Sequence, residues 1–329
     1  MHCRFMAFTS AVAVAVVMLA PVSVAAQTST VPLTSWGKPD LQGVWDFRSL
    51  TPMQRPTELG EQEVFTAEEA ATFSEEVIRR ESRDLADPLV EAQTKGRVVP
   101  YNDFWFDWGT TVTSDRTSLI VDPPDGRMPP VTPAAQRKRA ARREARRGVG
   151  PGLPTPAGWI QDLSPPVRCI MGFNSGPPMT PSAYNNNMQL FQTPGYVVIL
   201  TEMVHDARIV PLDDRSHLTP QIRQWNGSSR GRWEGNTLVV ETFNRRDESF
   251  RGASRHLHLT ERFTRADANT LVYDVTLDDP TTWTKPWTFV VPMAKSQGEI
   301  YEYACHEGNY SMENMLRGER AGENEAESR

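Results

Sequence analysis

The chain has 329 residues, with 35 Lys and Arg against 41 Asp and Glu, a formal net charge of −6. That length is ample for a hydrophobic core and exceeds the usual size of one domain, although β-barrels and sandwiches reach about 250 residues as a single unit. Past the N-terminus no apolar run approaches the about 20 residues of a membrane-spanning helix, which argues against a helical membrane protein and for a soluble one.

Residues 1–26 read as an export signal. Arg4 supplies a basic start, Ala11 to Ala20 is unbroken apolar sequence, and Val24-Ala25-Ala26 before Gln27 fits the small-residue cleavage rule. A retained N-terminal anchor is the alternative. Cys3 lies too early to be the acylated first residue of a lipoprotein. Cleavage would leave 303 residues with a charge of −7, placed in the periplasm or outside the cell of a bacterium. Two cysteines would survive. An oxidising compartment favours a Cys169–Cys305 disulfide over two buried thiols.

Residues 27–60 are rich in Pro, Thr and Ser. Within them Leu41 to Phe47 alternates as a strand, with Leu41, Gly43, Trp45 and Phe47 on one face. Thr66 to about Arg83 is a predicted helix. Thr66 and Glu69 form a capping box, and Ala70, Phe73 and Val77 mark a narrow apolar stripe. Pro100 to Trp108 interleaves aromatics with carboxylates and reads as a strand with Phe104 and Phe106 on one face. It suits either a ring-bearing or cationic ligand, with Trp105 in contact, or a plug at one end of a barrel. Thr117 to Val121 is a short strand ended by a Pro-Gly turn.

Ala134 to Arg147 holds seven Lys/Arg and one Glu, and reads as a helical insertion. It suits an anionic surface, or is simply a solvated helix. Nucleic acid is not expected for an exported chain, and Ala alone makes no face for insertion into lipid.

From Met188 to Tyr310 the pattern is short antiparallel strands. Expected pairs are Tyr196–Met203 with Arg208–Leu212, Arg230–Glu234 with Thr237–Phe243 around Gly235-Asn236, and His256–Thr264 with Thr270–Leu277. The last expected pair is Trp287–Met293 with Ile300–Cys305. A single β-rich domain would span 27–317, with a charged, disordered tail at 318–329.

In HLHLTERF, Leu257, Leu259, Glu261 and Phe263 share one face, while His256, His258, Thr260 and Arg262 share the other. Charged groups on a face that also carries Leu and Phe need partners, so a barrel or sandwich with a polar-lined cavity is the economical reading. Three clusters could line it: Glu202, His205, Asp206 and Arg208; His258, Glu261 and Arg262; Tyr303, His306 and Glu307. A His beside a carboxylate is a general acid–base pair, which makes His205, Asp206, His258, Glu261 and His306 the catalytic candidates. Arg208, Arg262, Glu202, Tyr303 and Glu307 would bind substrate, the arginines holding an oxyanion or carboxylate. An ion-pair network that holds strands in register would use the same residues. A divalent metal held by His205, His258 and His306 is the runner-up, and no cofactor is otherwise expected. No Gly-rich phosphate loop precedes a helix, and no G-x-S-x-G elbow is present.

The strings RTSLIVDPPDGRMPP, YNNNMQLFQTPGYVVILTEMVHDARIVPLD, IRQWNGSSRGRWEGNTLVVETFN, LHLTERFTR and YEYACHEGNY resemble a widespread group of exported bacterial proteins of unknown function. The resemblance runs from about Leu41 to Arg317 and implies export and one continuous fold, without a reaction. Gly43-Val44-Trp45 and the strand meander also resemble lipocalin-type barrels.

The expected architecture is mainly β: an antiparallel β-barrel or barrel-like sandwich, lipocalin-like, with one N-terminal helix and extended N-terminal segments. The leading functional expectation is an exported hydrolase, lyase or isomerase acting on a small apolar or aromatic molecule. A non-catalytic lipocalin-like carrier and a cell-envelope scaffold are the alternatives. The enzyme requires at least one of His205, His258 and His306 beside a carboxylate facing a cavity. A carrier expects a largely apolar cavity. Oligomeric state has no sequence signal.

Overall fold

The structure, a computed structural model, describes residues 31–82, 84, 102–147, 149, 159–246 and 250–327. The expected signal at 1–26, and Tyr101, lie outside the described residues. The chain is mainly β. Its strands are β1 (Gly43–Asp46), β2 (Ile120–Asp122), β3 (Asn187–Gln192), β4 (Tyr196–Thr201), β5 (Ala207–Pro211), β6 (Ser228–Glu234), β7 (Thr237–Phe243), β8 (His258–Arg265), β9 (Thr270–Asp278) and β10 (Trp287–Lys295). Nine form one antiparallel path, β5-β4-β3-β1-β10-β9-β8-β7-β6, which curls into a nearly closed barrel. The short β2 lies beside β10, sharing its outer edge with β1.

Period-two alternation builds the wall. In β8, Leu259, Glu261, Phe263 and Arg265 are buried, and in β9 Leu271, Tyr273, Val275 and Leu277 are. Trp287, Phe289, Val291 and Met293 of β10 fill the same interior. Gly235, with φ +60°, and Asn236 turn the β6–β7 hairpin, where left-handed backbone matches strand twist. Trp45 is fully buried and donates its indole N–H to the Leu41 carbonyl at 2.8 Å. The Arg265 guanidinium lies 5.4 Å from its ring centroid and donates to the Asp40 carbonyl. Strand β1 is thereby fixed between β3 and β10.

Helix α1 (Ala67–Glu81) has the expected capping box at Thr66 and Glu69. Its Ala70, Phe73 and Val77 join Leu50, Phe65, Val112 and Trp108 in a small cluster outside the barrel. Helix α2 (Pro133–Ala145) buries no residue. Thr132 anchors it, its backbone and hydroxyl donating to the carbonyls of Thr282 at 2.9 Å and Thr281 at 2.7 Å.

Three expectations are corrected. Residues 300–305 form no strand. The sequence EIYEYA offers no apolar face, Tyr301, Glu302 and Ala304 are exposed, and β10 finds β1 and β2 instead. The segment expected to be disordered from 318 continues helix α3 (Tyr310–Glu327), supported by Glu313–Arg317 and Arg320–Glu323 pairs. The aromatic run forms a 3₁₀ turn at Asp103–Trp105, not a strand. Phe104 and Trp105 face solvent and Phe106 stacks on Trp108 at 5.3 Å, so these rings do not plug the barrel. The Cys169–Cys305 disulfide is present, with 5.7 Å between Cα atoms.

Asp279, at the turn after β9, accepts from Ser254 N (2.6 Å), Thr282 Oγ1 (2.6 Å) and Thr281 Oγ1 (2.7 Å). Burial alone would raise this carboxyl, but the hydrogen bonds hold it below the ordinary value. Its stabilisation is therefore complete above the unfolded value of about 3.9 and is lost as pH falls through the depressed folded one. In denaturant unfolding, the stability gap between wild type and Asp279→Asn is expected to be constant at neutral pH and to narrow below about pH 4; a gap independent of pH would contradict this. Phe289→Ala is expected to cost about 3–5 kcal/mol, whereas the exposed Ile209→Ala should stay within about 0.5 kcal/mol in the same assay.

Candidate functional site

The barrel wall has one break. β5 pairs with β4, β6 pairs with β7, and no ladder joins β5 to β6. The Asp206 carbonyl accepts from Thr201 N, and Leu212 N donates to the Gly195 carbonyl. By the antiparallel alternation, Arg208 and Val210 then turn their backbone groups to β4, and Ala207 and Ile209 turn theirs to the seam. The two edges approach closely at Gly231, where a Cβ would lie 2.7 Å from Leu212 Cδ2 and 3.0 Å from Val210 Cγ1. Toward Asp206 and Ser228 the seam opens into a cavity of about 600 Å³.

The cavity is lined by Arg208, Arg223, Arg230 and Arg246 around Trp225, with Asp206 as its single carboxylate among the described residues. Arg230 donates to three carbonyls, those of Arg215, Ser216 and Ser229, at 2.7–3.2 Å. Arg223 donates to the carbonyl of Arg255 at 3.2 Å. Arg246 stacks 4.7 Å from the Trp225 ring, and Arg168 lies 5.8 Å from it. Among the described residues, none of Arg223, Arg230 and Arg246 pairs with a carboxylate. At the mouth, the Asn226 amide donates to Asp206.

Behind the seam, Arg208 reaches through the interior to β8 and meets Glu261 in a bidentate pair, with Nη2 2.9 Å from Oε1. The Tyr273 hydroxyl donates to the same carboxylate at 2.6 Å and accepts from Met179 N at 3.1 Å. Burial alone would lower the Arg208 guanidinium, but Glu261 outweighs it and holds it above its ordinary value. Burial first, then the Glu261 charge, raises the Tyr273 phenol, so it stays protonated and donates.

The expected site residues separate into different environments. Asp206 and Arg208 meet at the seam, and Glu261 lies behind it. His258 points outward, stacked on Phe243 at 4.2 Å. Its Nε2 is 3.5 Å from a Glu241 oxygen, without a hydrogen bond between them. Arg262 pairs with Glu234 on the same outer wall. His205 is exposed, and its Nδ1 lies 3.1 Å from the Tyr303 carbonyl, which brings the turn before β5 against Tyr303. His306, Glu307 and Trp105 are exposed. Glu202 is buried and accepts from Asn187 Nδ2 at 2.8 Å. Among the described residues no group of three or more His, Cys, Asp and Glu could hold a metal ion, so His205, His258 and His306 do not converge on one. Arg223, Trp225, Asn226, Arg230 and Arg246 escaped the sequence reading. Their only signal was an unusual density of Arg and Trp between His217 and Arg246.

Comparisons with family models, with curated proteins and with solved structures found no match. The resemblance to exported bacterial proteins therefore rests on the quoted strings alone.

Removing one partner of the buried pair leaves an uncompensated charge inside the barrel. Glu261→Gln is expected to cost about 3–5 kcal/mol in denaturant unfolding, and the Arg208→Met/Glu261→Leu double variant distinctly less. Equal losses for the two would contradict that assignment.

Proposed function

We propose that this is a non-catalytic small-molecule binding protein, and that its site is the seam between β5 and β6. One observation carries this reading: the barrel interior is filled by side chains such as Trp45, Phe263, Tyr273 and Phe289, and the break in the wall opens a cavity of ligand size. The acid–base alternative needs a histidine beside a carboxylate facing a cavity. None of His205, His258 and His306 lines the seam, so the geometry does not support that chemistry. A carrier with an apolar internal chamber is not the version supported either, because this cavity is polar and lies in the wall. An envelope scaffold has no need of such a cavity. Export to the periplasm or beyond belongs to the same proposal, and an N-terminus at Gln27 in the mature protein would bear on it directly.

Ala207 is exposed and lines the seam, so a large side chain there fills the mouth without disturbing the core. Native mass spectrometry of gently purified protein is expected to show a bound small molecule that Ala207→Trp loses and His258→Ala keeps. Retention by Ala207→Trp, or loss by His258→Ala alone, would overturn the assignment.

A further inference from the structure

Resting on the seam as the binding site, we infer that its ligand is a small oxyanion, a carboxylate or phosphate compound carrying more than one negative charge. Among the described residues, the ionisable side chains lining the cavity are four arginines and one aspartate. Arg208 is committed to Glu261, and Asp206 accepts from Asn226. The remaining three guanidinium groups are held by carbonyl oxygens and by the Trp225 face. Carbonyls and an aromatic ring orient a cation without neutralising it. Asp206 in the lining and Asp213, whose charge reaches Arg230, offset part of this positive charge, and an entering anion offsets the rest.

A fourth cation reinforces them from inside. Arg245 is fully buried, and only its Nη1 has a partner, the Pro177 carbonyl. Its Nε and Nη2, the edge that forks onto two oxygens, have none. Burial pulls this guanidinium down to about 10, which still leaves it charged at neutral pH. Against Arg208 and Arg245 the buried network holds, among the described residues, one carboxylate, Glu261, which leaves one of the two positive charges unbalanced. Gly227 separates Arg245 from the cavity. It has φ +77°, and a Cβ there would lie 2.7 Å from Arg245 Cγ and 2.5 Å from the Phe243 carbonyl. The loop can therefore sit against the Arg245 stem only without a side chain, and the charge beyond that stem is within electrostatic reach of Arg208, which lines the cavity. Arginine forks match the paired oxygens of carboxylate and phosphate, so those are the chemistries the site fits.

Isothermal titration of the full chain with succinate, its neutral diamide succinamide, and inorganic phosphate tests the inference. Succinate, phosphate or both are expected to bind, more weakly as salt rises, and succinamide is not. The exposed Arg246→Gln is expected to weaken anion binding about tenfold or more, and Ala207→Trp to abolish it. Binding by succinate alone or phosphate alone identifies which oxyanion is read. If neither binds, or if binding ignores Arg246→Gln, the anion inference fails. Should Ala207→Trp still strip the co-purified molecule in that case, the seam remains the site and only the ligand class is wrong. If Ala207→Trp changes nothing, the seam itself is wrong.

Discussion

The bidentate pair between Arg208 and Glu261 takes the place of the ladder that β5 and β6 do not form. β5 is hydrogen-bonded only to β4, so nothing in the backbone holds its free edge against the other side of the barrel. Arg208 spans the interior to β8, which is laddered through β7 to β6, and so ties the two sides of the seam by side chains. Such a strut is stable only when fully satisfied. Tyr273 supplies a further hydrogen bond to the carboxylate, and Met179 N satisfies the phenol in turn. The wall can therefore stay open at one place without the barrel flattening into an ordinary sheet with two exposed edges.

An open seam changes where binding can occur. In a barrel whose interior is filled with Trp, Phe and Leu side chains, a ligand has no central chamber to enter. The break puts polar backbone edges, four arginines and Trp225 at the surface of a cavity that the loop between β5 and β6 roofs. The same strut that holds the seam occupies one of those arginines, so the architecture and the charge of the site share a residue. Of the histidines singled out in the sequence, His258 packs on Phe243, while His205 and His306 are exposed and lie outside the seam.

Much of the barrel was legible because period-two alternation is a local property. Sorting HLHLTERF by parity separates Glu261 from His258 and Arg262, although all three were expected to line one cavity; Glu261 lies inside and the other two outside, and Gly235-Asn236 marks its hairpin. Glu261 could be recognised as needing a partner, but its partner lies 53 residues earlier in the chain, and no local rule pairs them. The seam was invisible for a related reason: a strand edge lacks a neighbour because of topology, and β5 and β6 look as pairable as any other strands. The error at 300–305 has the opposite origin. Alternation of Glu, Tyr and Ala satisfies the period without supplying an apolar face to bury, so the segment stays outside the sheet.

β5 and β6 face each other without a hydrogen-bonded ladder. Residue-resolved amide exchange in the ligand-free protein tests this most directly. The Ala207 and Ile209 amides, which face the seam, are expected to exchange fast, while those of Arg208 and Val210, paired with β4, are expected to be protected. Equal protection at all four amides would mean a closed ladder, no seam and no site there.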